Sequence, residues 1–530
     1  MRNLELPGRS PVHATQGMAS TSHTLASLTA IDVLKAGGNA MDAAIAACAV
    51  QCVVEPGSTG IGGDCFCLYS PGGGDEIVAF NGSGRAPKAA TPEWYQQQGI
   101  TAIERQSPHA VSVPSAVDGW DRLLKAHGTK QFGELLQPAI GYAREGYPVS
   151  SRVSVDFARQ IEILRQDENL ARVFLKDGQP PATGSLQRQP QLADTLEAIA
   201  REGRDAFYRG AIAQDIVGYL QSKGGLHTMT DFARVEGEYV TAISTDYRGY
   251  RVHQCPPNGQ GVIALLLLNI LSGVEAGGDP LSAERLHQEI EAGRLAYHDR
   301  AAYLADPAQA DVPVEWLLSR EHADDLRKEI NPAQAMIGLP DISGPAHEDT
   351  VYITVVDKDR NACSFINTLY SNFGSGLMAP KSGVVLHDRA MSFVLDPAHP
   401  NCIAPGKRPM HTIIPGMVSR DGKLVMSYGV MGGEYQAYGH MQFLSRMFDF
   451  GLDIQEAQDL PRIFPDPKTG DVLAESGLPD KVADALRTKG HTLAAPVKPI
   501  GGSQAVWIDW DEGVLTGGSD PRKDGCALGY

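Results

Sequence analysis

Long apolar runs, a basic surplus and zinc-type cysteine pairs are all missing from this chain, and each absence removes a class of function. No stretch approaches the ~18 apolar residues of a membrane-spanning helix; the run Val262 to Leu268 reads as a buried helix or strand. Met1 to Ser20 has no apolar h-region, so no secretory signal is expected. Basic residues are outnumbered, 46 Lys and Arg against 63 Asp and Glu, for a net charge of −17. That balance argues against a nucleic-acid partner. The eight cysteines include the close pairs Cys48/Cys52 and Cys65/Cys67, which lack zinc-site spacing and matching histidines. They read as packed free thiols, and a cytoplasmic location is expected. The 15 histidines form no obvious metal set, and His347-Glu348 is not followed by the second histidine of a zinc protease motif. No metal or cofactor is expected. There is no phosphate-binding P-loop and no G-x-S-x-G. Gly60-Ile61-Gly62-Gly63 has Cys65 where a dinucleotide loop needs its third glycine, and it follows a helical pattern rather than a strand.

What is present is a globular composition, 42% hydrophobic and 21% charged over 530 residues. That is more chain than one ordinary core uses, so one very large or two intertwined modules are expected. Ser22 to Lys35 and Asn39 to about Val54 are helical patterns. Gly37-Gly38 stops the first, and Asn39 caps the second, which is apolar nearly all round and so buried. Cys65 to Tyr69 and Glu76 to Phe80 are strand-like. Residues 115–220 read as largely helical and 238–255 as strands; Ser282 to Leu304 is a helix, and 335–349 a linker. Beyond 350 come strands, a helix from about Glu434 to Phe450, then strands again.

The segment after the linker carries the chemistry. Thr350 opens an apolar, β-branched run to Val356; Asp357 to Asn361 is a turn; Ala362 to Tyr370 is a second run. Pairing centred on Asp359 sets Val356 opposite Ala362 and Thr350 opposite Thr368, with directly opposed Cβ atoms about 5 Å apart. A threonine that begins a strand becomes a nucleophile when cleavage before it frees its α-amino group as a base. By itself the segment reads first as an ordinary hairpin with two threonines on one face, since threonine is simply a good strand residue.

Set in order along the chain, several segments resemble the γ-glutamyltranspeptidases and their relatives, self-cleaving Ntn hydrolases. They are Gly37 to Ala44, Gly60 to Asp64, Gly84-Arg85-Ala86-Pro87, Phe207 to Gly210, Asp349-Thr350, Phe373 to Gly376, Met431-Gly432-Gly433, Pro461-Arg462 and Asp520-Pro521-Arg522. The resemblance implies an α/β, four-layer αββα sandwich. It implies cleavage between Asp349 and Thr350 into a large subunit of residues 1–349 and a small subunit of 350–530. The two would intertwine as a heterodimer that can pair into a dimer of heterodimers. Thr350 matches the nucleophile and Thr368 its hydroxyl partner. Gly432 and Gly433 match the pair whose N–H groups form the oxyanion hole, where one donor is worth about 3 kcal/mol of barrier.

The departures from the transpeptidase pattern point to the substrate. The positions that hold a donor's ammonium are here Arg389 and Ser392. The Ser-Ser pair that holds its carboxylate is replaced by His411 and Thr412. Arg85, in the rearranged stretch Asn81 to Arg85, stands in for the family's arginine, and Tyr370 joins the candidate pocket. An ammonium beside Arg389 would be disfavoured, whereas arginine binds a carboxylate bidentately. The pattern resembles the amidohydrolase branch, which includes oxamate amidohydrolase and cephalosporin-acylase-like members. The expected substrate is a small acidic amide such as oxamate. The alternatives are a glutathione γ-glutamyl transferase or hydrolase with a rebuilt pocket, a cephalosporin-acylase-like amidase, and an unprocessed binding protein of the same fold.

Overall fold

The computed structural model describes residues 5, 8–336 and 350–530. Asp349 and the rest of the linker from 337 lie outside the described residues. Fourteen strands build two seven-stranded sheets: β1 (Val12–Ala14), β2 (Met18–Thr21), β3 (Asp64–Ser70), β4 (Val78–Gly82), β5 (Glu238–Thr241), β6 (Ile243–Tyr247), β7 (Tyr250–Gln254), β8 (Val351–Val356), β9 (Ala362–Thr368), β10 (Pro415–Arg420), β11 (Lys423–Met431), β12 (Gly502–Asp509), β13 (Val514–Ser519) and β14 (Cys526–Gly529). One sheet runs β1-β13-β12-β11-β10-β7-β6, the other β14-β2-β8-β9-β3-β4-β5.

Side-chain alternation sorts the layers. On β8, Tyr352 and Val356 face the other sheet and pack with Phe66, Ile366, Met417 and Val506. Ile353 and Val355 point the opposite way, into a helical layer. That layer contains α1 (Thr24–Lys35) and α2 (Ala40–Val54). On β11, Met426, Tyr428 and Val430 pack outward against α3 (Gly261–Ser272), α4 (Ala283–Tyr303) and α5 (Tyr435–Phe448). The order is helices, sheet, sheet, helices, the αββα sandwich that the resemblance implies. A strand buried on both faces needs the near-continuous apolar run that β8 has.

Every residue of α2 is buried, and Asn39 closes a capping box with Asp42. Its alanines let it lie close to the sheet. Val262 to Leu268 is helical, within α3. All eight cysteines are free thiols, seven of them buried. Among the described residues no helix is long and apolar enough to cross a membrane.

The β8–β9 hairpin has the expected register: Val351 pairs with Asn367 and Val356 with Ala362. Its turn is held by the Asp357 carboxylate, which accepts from Asp359 N at 2.9 Å and Asn361 N at 3.0 Å. Both strands are interior: β8 also pairs with β2, and β9 with β3.

Candidate active site

Period two places Thr350 on the same face of β8 as Tyr352, toward the opposing sheet. Its Oγ1 lies 3.3 Å from Thr368 Oγ1, and both residues are fully buried. Thr368 Oγ1 accepts from Tyr370 N at 2.8 Å, so the second threonine also fixes the chain leaving β9. From the first turn of α5, Gln436 Nε2 donates to Thr350 Oγ1 at 3.4 Å. Gln436 is positioned in turn by Ile414 N, which donates to its Oε1 at 3.1 Å.

Gly432 and Gly433 connect β11 to α5, with φ of 123° and 59°. Both are in the range that favours glycine. A side chain at 432 would meet Gly501 Cα at 2.8 Å. Among the described residues neither glycine N–H donates to another protein group. These free donors at a helix N-terminus suit a developing negative charge.

Beside the threonines is a buried charged cluster that the sequence reading saw only in part. Arg389, wholly buried, stacks 4.0 Å from the centre of the Tyr370 ring. Its Nη1 donates to Thr412 Oγ1 at 3.2 Å; Nε and Nη2 make no hydrogen bond. His411 Nε2 donates to Asp64 Oδ2 at 2.8 Å. Arg389 Nε is 3.9 Å and His387 Nδ1 3.8 Å from the same oxygen. The structure therefore brings Tyr370, Arg389, His411 and Thr412 together, and adds Asp64.

Asp64 sets a carboxylate beside Arg389 and His411, an anion at none of the pocket positions the sequence comparison singled out. It pairs with Thr368 across β3 and β9. It enters the strand from Gly60 to Gly63, where a side chain at Gly63 would lie 2.0 Å from the Thr368 carbonyl oxygen. Burial by itself raises the Asp64 carboxyl, but His411, His387 and Arg389 outweigh it and hold it well below the usual carboxylate range. Burial, reinforced by Arg389, pushes His411 down to about 4 against the pull of Asp64. At neutral pH the cluster is one arginine cation, one aspartate anion and an uncharged His411 that donates to the carboxylate.

Arg85 is engaged elsewhere. Its guanidinium donates to Glu238 Oε1 at 2.5 Å and to the Gly406 carbonyl at 3.1 Å, and its side chain is one-third exposed. None of these partners belongs to the threonine cluster. Ser392 is buried, and its carbonyl accepts from Asn401 Nδ2 at 2.6 Å. Asp64 and Gln436 are residues that sequence reasoning did not assign. The signal for Asp64 was a lone acid between a glycine loop and a fully apolar strand. The signal for Gln436 was a polar residue in the first turn of a buried helix.

Two matched segments meet in a second buried network. Arg462 pairs with Asp520, and Arg522 Nε donates to Glu475 Oε1 at 2.7 Å. Asp520 Oδ2 also accepts from Ser503 N at 2.8 Å, and Arg462 Nη1 donates to the Ile500 carbonyl at 2.6 Å. The network fixes residues 500–503, the backbone that packs on Gly432.

The γ-glutamyltranspeptidase family model matches residues 26–530. The chain is 39% identical to the glutathione hydrolase-like YwrD proenzyme of Bacillus subtilis, over 98% of this chain and 99% of that protein. It is 34% identical to the oxamate amidohydrolase proenzyme of Klebsiella pneumoniae, with the same coverage. Cephalosporin acylase from Bacillus halodurans superposes with a TM-score of 0.93 at 38% identity, covering 100% of this chain and 99% of that one. The chain belongs to the γ-glutamyltranspeptidase family of Ntn hydrolases and is an enzyme acting on amide bonds.

Proposed function

We propose that this protein is a self-processing N-terminal-threonine amidohydrolase whose substrate is a small acidic amide, with oxamate as the example. The observation that carries the substrate class is Arg389: a fully buried guanidinium, backed by an aromatic ring, with two N–H-bearing nitrogens unbonded. A planar carboxylate satisfies both at once. Asp64 offsets part of the positive charge, so the pocket takes a monoanion at modest electrostatic cost.

In this reading the Thr350 hydroxyl attacks the Asp349 carbonyl, and water hydrolyses the ester to leave residues 1–349 and 350–530. The freed α-amino group of Thr350 then takes the proton from its own Oγ1 as that oxygen attacks the substrate amide. Thr368 orients the nucleophile, and the N–H groups of Gly432 and Gly433 receive the oxyanion. Collapse expels ammonia, and water releases the acid; for oxamate the product is oxalate.

A second reading has its own observation. Asp64 Oδ1 is buried without a hydrogen bond and could take the ammonium of a γ-glutamyl donor. Rates on oxamate and on a chromogenic γ-glutamyl anilide separate the two. A higher kcat/KM on oxamate is expected; glutathione turnover at a rate matching the best amide would sink the acidic-amide reading.

A further inference from the structure

Away from the threonines, the structure gathers two histidines and a glutamate that the chemistry above does not use. We propose that His287, Glu291 and His491 form a binding site for a divalent transition-metal ion of the zinc class. All three are buried, and one ligand atom from each lies within 4.8 Å of the others. His287 and Glu291 are four residues apart on α4, so they share a face. His491 follows the helix Asp480–Thr488 and lies 204 positions from His287, which is why the sequence shows no metal motif.

The arrangement has the parts of a nitrogen–oxygen site. His287 Nε2 donates to the Asn331 carbonyl at 2.8 Å, which leaves the lone pair on Nδ1. An outer carbonyl that fixes the tautomer in this way is the usual support of a metal-binding imidazole. Nδ1 faces His491 Nε2 at 2.7 Å, a distance bridged by one shared proton. A metal ion would replace that proton and release it to solvent. Glu291 supplies the negative charge. Its oxygens also accept from Met336 N at 2.7 Å and Arg294 Nη1 at 3.0 Å. Arg294 weakens the carboxylate as a ligand, while Met336 N orients it. The ligands come from both sides of Thr350. If the self-cleavage proposed above occurs, the ion would tie helix α4 of the large subunit to the small subunit, but binding itself does not depend on that cleavage.

The test is zinc chloride titrated calorimetrically into the purified protein after dialysis against a chelator, with a thermal melt alongside. One equivalent should bind and raise the melting midpoint. His491→Ala and Glu291→Gln should each weaken that binding at least tenfold and remove the zinc-dependent shift. The Glu291→Gln change is nearly isosteric, so it decides the matter if His491→Ala does not fold. Absence of stoichiometric zinc binding, or equal binding by wild type and Glu291→Gln, overturns the proposal and leaves the histidines as a hydrogen-bonded packing pair.

Discussion

Thr350 and Thr368 hold their hydroxyl oxygens 3.3 Å apart because they sit on one face of a hairpin that is in register to its mouth. Thr368 also receives Tyr370 N, so it joins Thr350 to the segment that carries Tyr370. Thr368→Val keeps the shape, removes the hydroxyl and strands a buried N–H, a change worth about 1–3 kcal/mol. Steady-state kinetics should show kcat lower by about ten- to a hundredfold, with a smaller change in KM.

Intact mass bears directly on Thr350. The wild-type protein should appear as two fragments that meet between Asp349 and Thr350. Thr350→Ala should remain full length and inactive, and Thr350→Ser should retain part of both processing and activity. A full-length, active Thr350→Ala protein would remove the nucleophile from the scheme.

Arg389→Lys keeps the charge but loses the planar fork. Charge-assisted hydrogen bonds are worth about 1.5–3 kcal/mol. The loss in kcat/KM on oxamate should therefore be about ten- to a hundredfold, and much less on an uncharged amide. Equal losses on both substrates would indicate that Arg389 supports the fold rather than the carboxylate.

Buried histidines set the response to acid. Burial holds His23, His227, His253 and His411 down at about 4 and His440 at about 3. An unfolded histidine titrates near 6.5. Between those values the unfolded chain binds more protons than the folded one, so stability present above pH ~6.5 is lost as pH falls toward 4. Each such histidine contributes about 1.4 kcal/mol per pH unit in that window. Asp64, with its carboxyl depressed, adds a further loss only at lower pH, below the usual carboxylate range. Urea unfolding of wild type and His440→Gln at pH 7 and pH 5 checks this. The variant should lose about 2 kcal/mol less between the two.

Asp520 is wholly buried between Arg462 and Arg522. Asp520→Asn leaves an arginine cation uncompensated, a change that costs about 3–5 kcal/mol in buried pairs. Because the network braces the backbone against Gly432, activity should fall at temperatures where the variant is still folded. Denaturation and kcat measured together would show both effects.

The hairpin was legible because a strand–turn–strand segment carries its own symmetry: once the turn is centred on Asp359, the pairing of Thr350 with Thr368 follows. Helix α2 was legible from its composition, since an apolar helix has nowhere to go but inward. Asp64 was not, because its partners Arg389 and His411 are more than 300 residues away and only the stacking of strands brings them together. Arg85 shows the converse. Proximity in sequence to a recognisable motif placed it in the pocket, while a local competition for its guanidinium, by Glu238 and the Gly406 carbonyl, holds it outside.

The strand order has a consequence for handling the protein as pieces. Residues on either side of Thr350 alternate within one sheet: β2 lies between β14 and β8, and β9 lies against β3. Expressed alone, the segment 350–530 would lack β2 and β3 and expose bare hydrogen-bonding edges along β8 and β9, and the segment 1–349 would carry strands with no partners. Such edges recruit other chains, so separately produced halves should precipitate, and soluble protein should be recovered only when both are made in the same cell.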